Sequence, residues 1–211
     1  MNSENPEPMK IICIGRNYVD HARELNNPVP KKPVFFLKPD SSILKNNKSF
    51  YLPGFSNEIH HEVEIVLKIS KLGKNIPEKF AHRYFGEVGL GIDFTARDLQ
   101  AECKAKGLPW EIAKAFEGSA PLGRFLPKKD LGDLDNLSFR LDINGQTVQS
   151  GNSGDLIFSF DRLIAYVSQF FPLKTGDLLF TGTPAGVGPV KRDDRLQAYM
   201  GERLLLDFMV K

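Results

Sequence analysis

The chain has 211 residues, a formal net charge of +2, and 41% apolar against 26% charged side chains, values ordinary for a soluble globular protein with one substantial core. Acids and bases are interspersed, so no basic stripe marks a nucleic-acid surface, and no apolar run approaches the length needed to span a bilayer. Cys13 and Cys103 are too few and too scattered for a disulfide framework or a zinc site.

The first residues, Met1 to Pro8, carry acids and two prolines but no basic or apolar leader pattern. Residues 1–9 are therefore expected to be a flexible tail on a single domain spanning 1–211, in a reducing cytoplasm. Lys10 to Gly15 reads as a first strand. Asn17 is positioned to cap a short helix, with Asp20 at the capping-box distance, and His21 and Glu24 then share one helical face. A stiff proline-rich loop, Pro28 to Pro33, leads to an apolar strand at Val34 to Leu37. Residues 40–57 read as loops around a short strand at Phe50 to Leu52.

The run from His60 to Ile69 places Val63, Ile65, Leu67 and Ile69 in strict alternation, the pattern of a half-buried strand. A short helix is expected between Pro77 and Phe85. An apolar run follows, Val88 to Phe94, carrying Asp93 near its end. Thr95 as N-cap, Asp98 at the capping-box position and Gly107 as the stop predict a helix over Ala96 to Lys106. Leu137 to Ile143 alternates and runs into the hairpin signal Asn144-Gly145. Ser159 caps a helix from Phe160 to about Phe170. Asp177 to Thr181 is a short strand, a Gly/Pro-rich loop covers Thr181 to Pro189, and Arg203 to Val210 closes the chain as a strand. Many strands and two good helices give an α+β class with a strand-dominated core.

Glu62 and Glu64 are the most informative residues. Side chains at i and i+2 of a strand project from the same face, with Cα atoms about 6.5–7 Å apart. Two such anions repel, and a hard divalent cation such as Mg²⁺ or Mn²⁺ relieves the conflict; the alternative is a solvated strand face that happens to carry two acids. Asp93 at a strand end can add a third ligand, or simply meet a helix N-terminus. The Glu24 carboxylate can orient the His21 imidazole as a base, or the two can form a surface ion pair. Lys114, among apolar neighbours, either snorkels to solvent or points its ammonium at developing negative charge. Arg97 and Gln100, three apart, can face the same site. His60 and His61 are candidates to hydrogen-bond the metal carboxylates. The loop from Thr181 offers backbone N–H groups and the Thr183 hydroxyl to a substrate carboxylate, and it lacks the ending of a P-loop.

Taken together, His61-Glu62-Val63-Glu64, the segment Gly91 to Gln100, Lys104 to Trp110, the run around Lys114, and Thr181 to Gly188 resemble the fumarylacetoacetate hydrolase family. The resemblance covers nearly the whole chain from about Ile14 and is greatest to the short acylpyruvase branch. It implies a mixed β-roll with a few short helices, commonly a homodimer, with Mg²⁺ or Mn²⁺ held by Glu62, Glu64 and Asp93. It also implies that Asn17 to Glu24 matches the family's mobile lid, with His21 the general base and Glu24 its orienting partner. Lys114 then faces the reacting oxygens, and Arg16, Arg97, Gln100 and Thr183 contact a small keto acid. One departure is Glu117-Gly118-Ser119, which bears on acyl-chain preference. The expected activity is hydrolysis of the C–C bond of 3-acylpyruvates. Oxaloacetate decarboxylation or keto–enol tautomerisation in the same site is the alternative, and a non-catalytic ligand-binding module is the remote one.

Overall fold

The apolar runs pair into four sheets, which the structure, a computed structural model, describes for residues 10–24 and 28–211. The tail expected at residues 1–9 lies outside the described residues. In chain order the first half contains β1 (Ile11–Gly15), α1 (Val19–Glu24), β2 (Val34–Lys38), β3 (Ile43–Leu44), β4 (Ile59–His61), β5 (Val63–Ile69), β6 (Phe85–Ile92), β7 (Thr95–Ala96) and α2 (Arg97–Lys106). The second half contains α3 (Glu111–Lys114), β8 (Ala120–Pro121), β9 (Leu126–Pro127), β10 (Ser138–Ile143), β11 (Gln146–Asn152), α4 (Phe160–Val167), β12 (Leu178–Phe180), β13 (Gly188–Pro189), β14 (Arg195–Met200) and β15 (Arg203–Met209).

A six-stranded mixed sheet, ordered β2-β1-β12-β5-β6-β9, is the frame of the molecule. The pair β1/β12 is parallel and the remaining neighbours are antiparallel. A second, antiparallel sheet, β11-β10-β14-β15, packs against it, and short sheets β13-β4-β7 and β3-β8 fill its edges. This strand-dominated arrangement is the α+β class that the pattern of elements predicts, and it agrees with the mixed β-roll that the resemblance implies.

β5 departs from the half-buried expectation in an instructive way. Val63, Ile65, Leu67 and Ile69 enter the main core, but the opposite face is covered too, because Val66 joins a second cluster with Ile11, Cys13 and Phe180. Alternation therefore marks two different cores, and Glu64, on the same strand face as Val66, is 1% exposed. Glu62 sits at a break, where the chain leaves the sheet of β4 and enters that of β5.

Other differences have local causes. Thr95 pairs with His60 as part of β7 and does not cap α2, which starts one residue later than expected. Asp98 instead accepts hydrogen bonds from the Ser56 hydroxyl at 2.6 Å and the Asn57 amide at 3.0 Å. Gly107 closes α2 as predicted, with φ 64°. Ser159 caps α4 as expected, accepting from the Arg162 amide. The helix expected after Pro77 is a 3-10 turn over Glu78–Arg83, and the strand expected at Phe50 reduces to a single bridge with Val210.

Gly91 shows how tightly side chains of β12 and β5 are packed over β6. A Cβ there would lie 2.7 Å from two ring carbons of Phe180 and 3.0 Å from a Val66 methyl. Gly91→Ala is expected to cost about 1–3 kcal/mol through overpacking, read as a lower urea midpoint at an unchanged m value. An unchanged midpoint would show that the ring yields without cost.

Candidate metal and catalytic site

Antiparallel register assembles the acidic cluster. In the β5/β6 pair Val63 lies opposite Ile92 and Glu64 opposite Gly91, so Asp93, one residue further, comes opposite Glu62. The Asp93 amide donates to the Glu62 carbonyl at 2.8 Å, which locks that alignment. One carboxylate oxygen from each of Glu62, Glu64 and Asp93 lies within 4.8 Å of the others, and all three residues are buried. This is an all-oxygen donor set of the kind that hard divalent cations take.

Three cations surround the cluster. Lys114, on α3 and 3% exposed, donates to Glu62 Oε2 at 2.8 Å and to Asp93 Oδ2 at 2.7 Å. Burial disfavours its ammonium, but Asp93 and Glu62 outweigh that cost and raise its pKa above the ordinary lysine value. The Arg97 guanidinium donates to Glu62 Oε1 at 2.6 Å and to Gln100 Oε1 at 2.8 Å. Lys38, which sequence reasoning did not single out, is 1% exposed at the end of β2. Its ammonium donates to the carbonyls of Phe94, Lys114 and Ser119, and lies 2.8 Å from Asp93 Oδ1, off the hydrogen-bonding direction. A lysine at a strand end in an apolar run carries no signal that separates this role from an exposed one.

The carboxylates respond unequally. Burial opposes ionisation of Glu62, but Lys114, Arg97 and His21 hold its pKa well below the usual carboxylate range. Glu64 has no cation of its own among the described residues and accepts a single backbone bond, from Gly182 N at 2.7 Å. Its pKa is pushed well up by burial, then by Asp93 and Glu62. Gly182 can make that bond because its φ is 103° and the Asn17 side chain fills the space where a Cβ would stand.

A small cavity of roughly 40 Å³ opens onto the cluster. His21, Lys114, Arg16, Arg97, Gln100 and Thr183 line it together with the three acids, so nine of the ten residues expected to bind metal, catalyse or contact substrate converge there. The tenth, Glu24, stands behind His21, its Oε2 3.3 Å from Nδ1, while its Oε1 accepts from the Gly186 amide at 3.0 Å. His21 is 5% exposed, and with Nδ1 turned to Glu24 its Nε2 is the free nitrogen.

Several expected contacts are rearranged. The Thr183 hydroxyl donates to the Val63 carbonyl at 2.8 Å and accepts from Gln149 Nε2 at 2.9 Å, so its hydrogen is committed to the protein. The amides of Gly182 and Gly186 go to Glu64 and Glu24, so those two N–H groups are spent within the protein. His60 bonds Glu58 and Arg97, and His61 bonds Gln149; neither touches a carboxylate of the cluster. Asn17 does not act as the expected helix cap. It holds α1 to the site loop by donating to the carbonyls of Phe158 and Thr181 and accepting from the Phe158 amide.

Gln149, in β11, was invisible in the sequence because nothing near it is unusual. It is 2% exposed, and its Oε1 accepts from the Val63 amide at 3.0 Å and lies 2.9 Å from His61 Nδ1. Its Nε2 donates to Thr183 and to the Pro184 carbonyl. One side chain from the second sheet thus ties the segment between Glu62 and Glu64 to the site loop.

Because the raised Glu64 keeps its proton above the ordinary range, a divalent ion must displace that proton on binding. Affinity for Mg²⁺ is therefore expected to rise with pH, from the usual carboxylate range of about 4.3 upward. Calorimetry in two buffers of different ionisation heat should detect about one proton released per ion at mildly acidic pH. Glu64→Gln should remove the release and most of the affinity; binding without proton release in the native protein would contradict this account.

Residues 10–206 match the family model described as fumarylacetoacetate (FAA) hydrolase C-terminal. Oxaloacetate tautomerase FAHD1, mitochondrial, of Arabidopsis thaliana is 46% identical over 189 residues, covering 90% of this chain and 85% of that protein. Oxaloacetate decarboxylase, mitochondrial, of Dictyostelium discoideum is 44% identical over 183 residues, covering 86% and 84%. Among solved structures, fumarylpyruvate hydrolase from Pseudomonas aeruginosa in complex with Mn²⁺ and pyruvate aligns with a TM-score of 0.93 at 35% identity, covering 100% of this chain and 92% of that one. The matched span and these identities agree with the motif reading: the chain belongs to the fumarylacetoacetate hydrolase family.

Proposed function

We propose that this protein is a divalent-metal-dependent enzyme that interconverts the keto and enol forms of oxaloacetate. The observation that carries the reading is the buried triad Glu62/Glu64/Asp93 with the oriented His21 on the same small cavity. Similarity to an oxaloacetate tautomerase and an oxaloacetate decarboxylase supports this substrate over the acylpyruvates that the motifs put first. The Mn²⁺ in the fumarylpyruvate hydrolase neighbour supports the metal.

A divalent ion held by Glu62, Glu64 and Asp93 would supply Lewis acidity and a template for the carboxylate and 2-oxo oxygens of the substrate. His21 Nε2 takes the proton from C3, and Glu24 stabilises the imidazolium that results. Lys114 has two N–H groups engaged and one left, which can meet the negative charge growing on the C2 oxygen. Gln100 has its carbonyl bound to Arg97, so its NH₂ is the donor left for the substrate. Return of the proton to that oxygen completes the enol, with no atom gained or lost.

Acylpyruvate hydrolysis is the second reading, and the His21–Glu24 pair favours it, because an oriented imidazole can equally deprotonate an attacking water. A panel of enol oxaloacetate, acetylpyruvate and fumarylpyruvate, each with Mg²⁺ and after chelation, separates the two. Ketonisation above the spontaneous rate, lost on chelation, is the expected result. His21→Ala should lower kcat about 10²–10⁴-fold while leaving metal affinity in place. Cleavage of the acylpyruvates without oxaloacetate turnover would put hydrolysis first, and full activity after exhaustive chelation would end the metal reading.

A further inference from the structure

The cations of the site are not all accounted for by its acids. Lys38, Lys114 and Arg97 contact the carboxylate cluster, but Arg16 and Lys104 also line the cavity, and neither has a carboxylate partner among the described residues. Lys104 lies on α2 seven residues after Arg97, which puts both on one face of the helix about 10.5 Å apart along its axis. Helical side chains lean toward the N-terminus, so the Lys104 stem runs back toward Arg97. Its ammonium stands 5.5 Å from the centroid of the Trp110 ring, itself a wall of the cavity. Arg16 is held with φ 61°, a left-handed conformation that a residue with a Cβ adopts only where its surroundings impose it. The next residue, Asn17, is clamped to Phe158 and Thr181. Partial burial, then the charges of Arg97 and Arg16, lower the Lys104 pKa, so the three cations are mutually close enough to raise the positive potential at this end of the cavity.

We infer that Arg16 and Lys104 form an anion subsite for the distal carboxylate of a dicarboxylic 2-oxo acid. The inference rests on the oxaloacetate reading for the substrate's other end, where the 2-oxo acid group meets the acidic cluster. It also bears on the choice of reaction. In decarboxylation the C3–C4 bond breaks, its electron pair passes to C3 and the enolate oxygen, and neutral CO₂ departs. A cation on the C4 carboxylate stabilises the reactant's charge and loses that interaction as the charge leaves, so it opposes this step. Proton transfer from C3 to the C2 oxygen leaves the C4 carboxylate in place and keeps the contact throughout. The subsite therefore selects dicarboxylates and directs them toward tautomerisation.

Trp110 is the only tryptophan in the chain, so its fluorescence reports occupancy of the cavity without requiring turnover. The Mg²⁺-loaded protein would be titrated with oxaloacetate and with 2-oxobutyrate, in which a methyl group replaces the distal carboxylate. Lys104→Gln and Arg16→Gln should each weaken oxaloacetate by about five- to tenfold, the loss of one charge-assisted contact at a partly solvated position. The same variants should shift 2-oxobutyrate by less than about twofold, and Lys104→Arg should restore most of the preference. Equal weakening of both ligands, or no weakening, overturns the subsite. Preferential binding of oxaloacetate without its turnover would instead leave the subsite standing and remove the catalytic reading. In the variants the fraction of oxaloacetate released as CO₂ should rise; an unchanged fraction would overturn the steering of the reaction.

Discussion

Everything around the site answers one problem: three carboxylates crowded together inside a protein. With their oxygens within 4.8 Å, each pair of charges would repel by on the order of 3 kcal/mol at an effective dielectric of about 20. Lys114 is inserted between Glu62 and Asp93, Arg97 closes on Glu62, and Lys38 stands beside Asp93. The three cations are all spent on Glu62 and Asp93. Glu64, left with one backbone amide, is the acid that resists ionisation. Adding a divalent ion would make the site positive overall, which suits an anionic ligand.

The architecture imposes that crowding through pairings distant in sequence. The β5/β6 register aligns Asp93 with Glu62, and the break at Glu62 lets one strand serve two sheets. Gln149 then reaches across from the second sheet to fix the backbone between the two glutamates. Its amide has all its bonds satisfied, the condition under which a buried polar link adds specificity and not strain. Lys38, Lys114 and Ser119 form a further knot, since the Lys38 ammonium is bound by the carbonyls of both later residues.

The helix that carries His21 is tied down at both ends. Asn17 holds its start to Phe158 and Thr181, and Glu24 holds its end to Gly186. The loop from Thr181 thus touches the carboxylate cluster through Gly182 and, by way of Glu24, His21. Its amides position the protein's own acids, which explains why a stretch rich in glycine and proline is built around specific hydrogen bonds.

Much of this was readable in the chain itself. Period-two spacing paired Glu62 with Glu64, helical spacing paired His21 with Glu24, and the motifs named the family, because these relations are local and a few residues suffice to express them. Both expected helices form, but Thr95 and Asn17 do not cap them: each has good capping chemistry, and pairing with His60 or bonding to Phe158 and Thr181 overrides it. Lys38 and Gln149 could not be picked out at all, and Lys104 stood inside a family motif with nothing to mark it as a site residue. A buried lysine, a strand glutamine and a helix lysine look the same whether they face solvent or a site. Local patterning determined which groups could carry the chemistry. Only the long-range pairing of strands decided which of them share one small volume, because electrostatic compensation depends on distances in space that sequence separation does not encode.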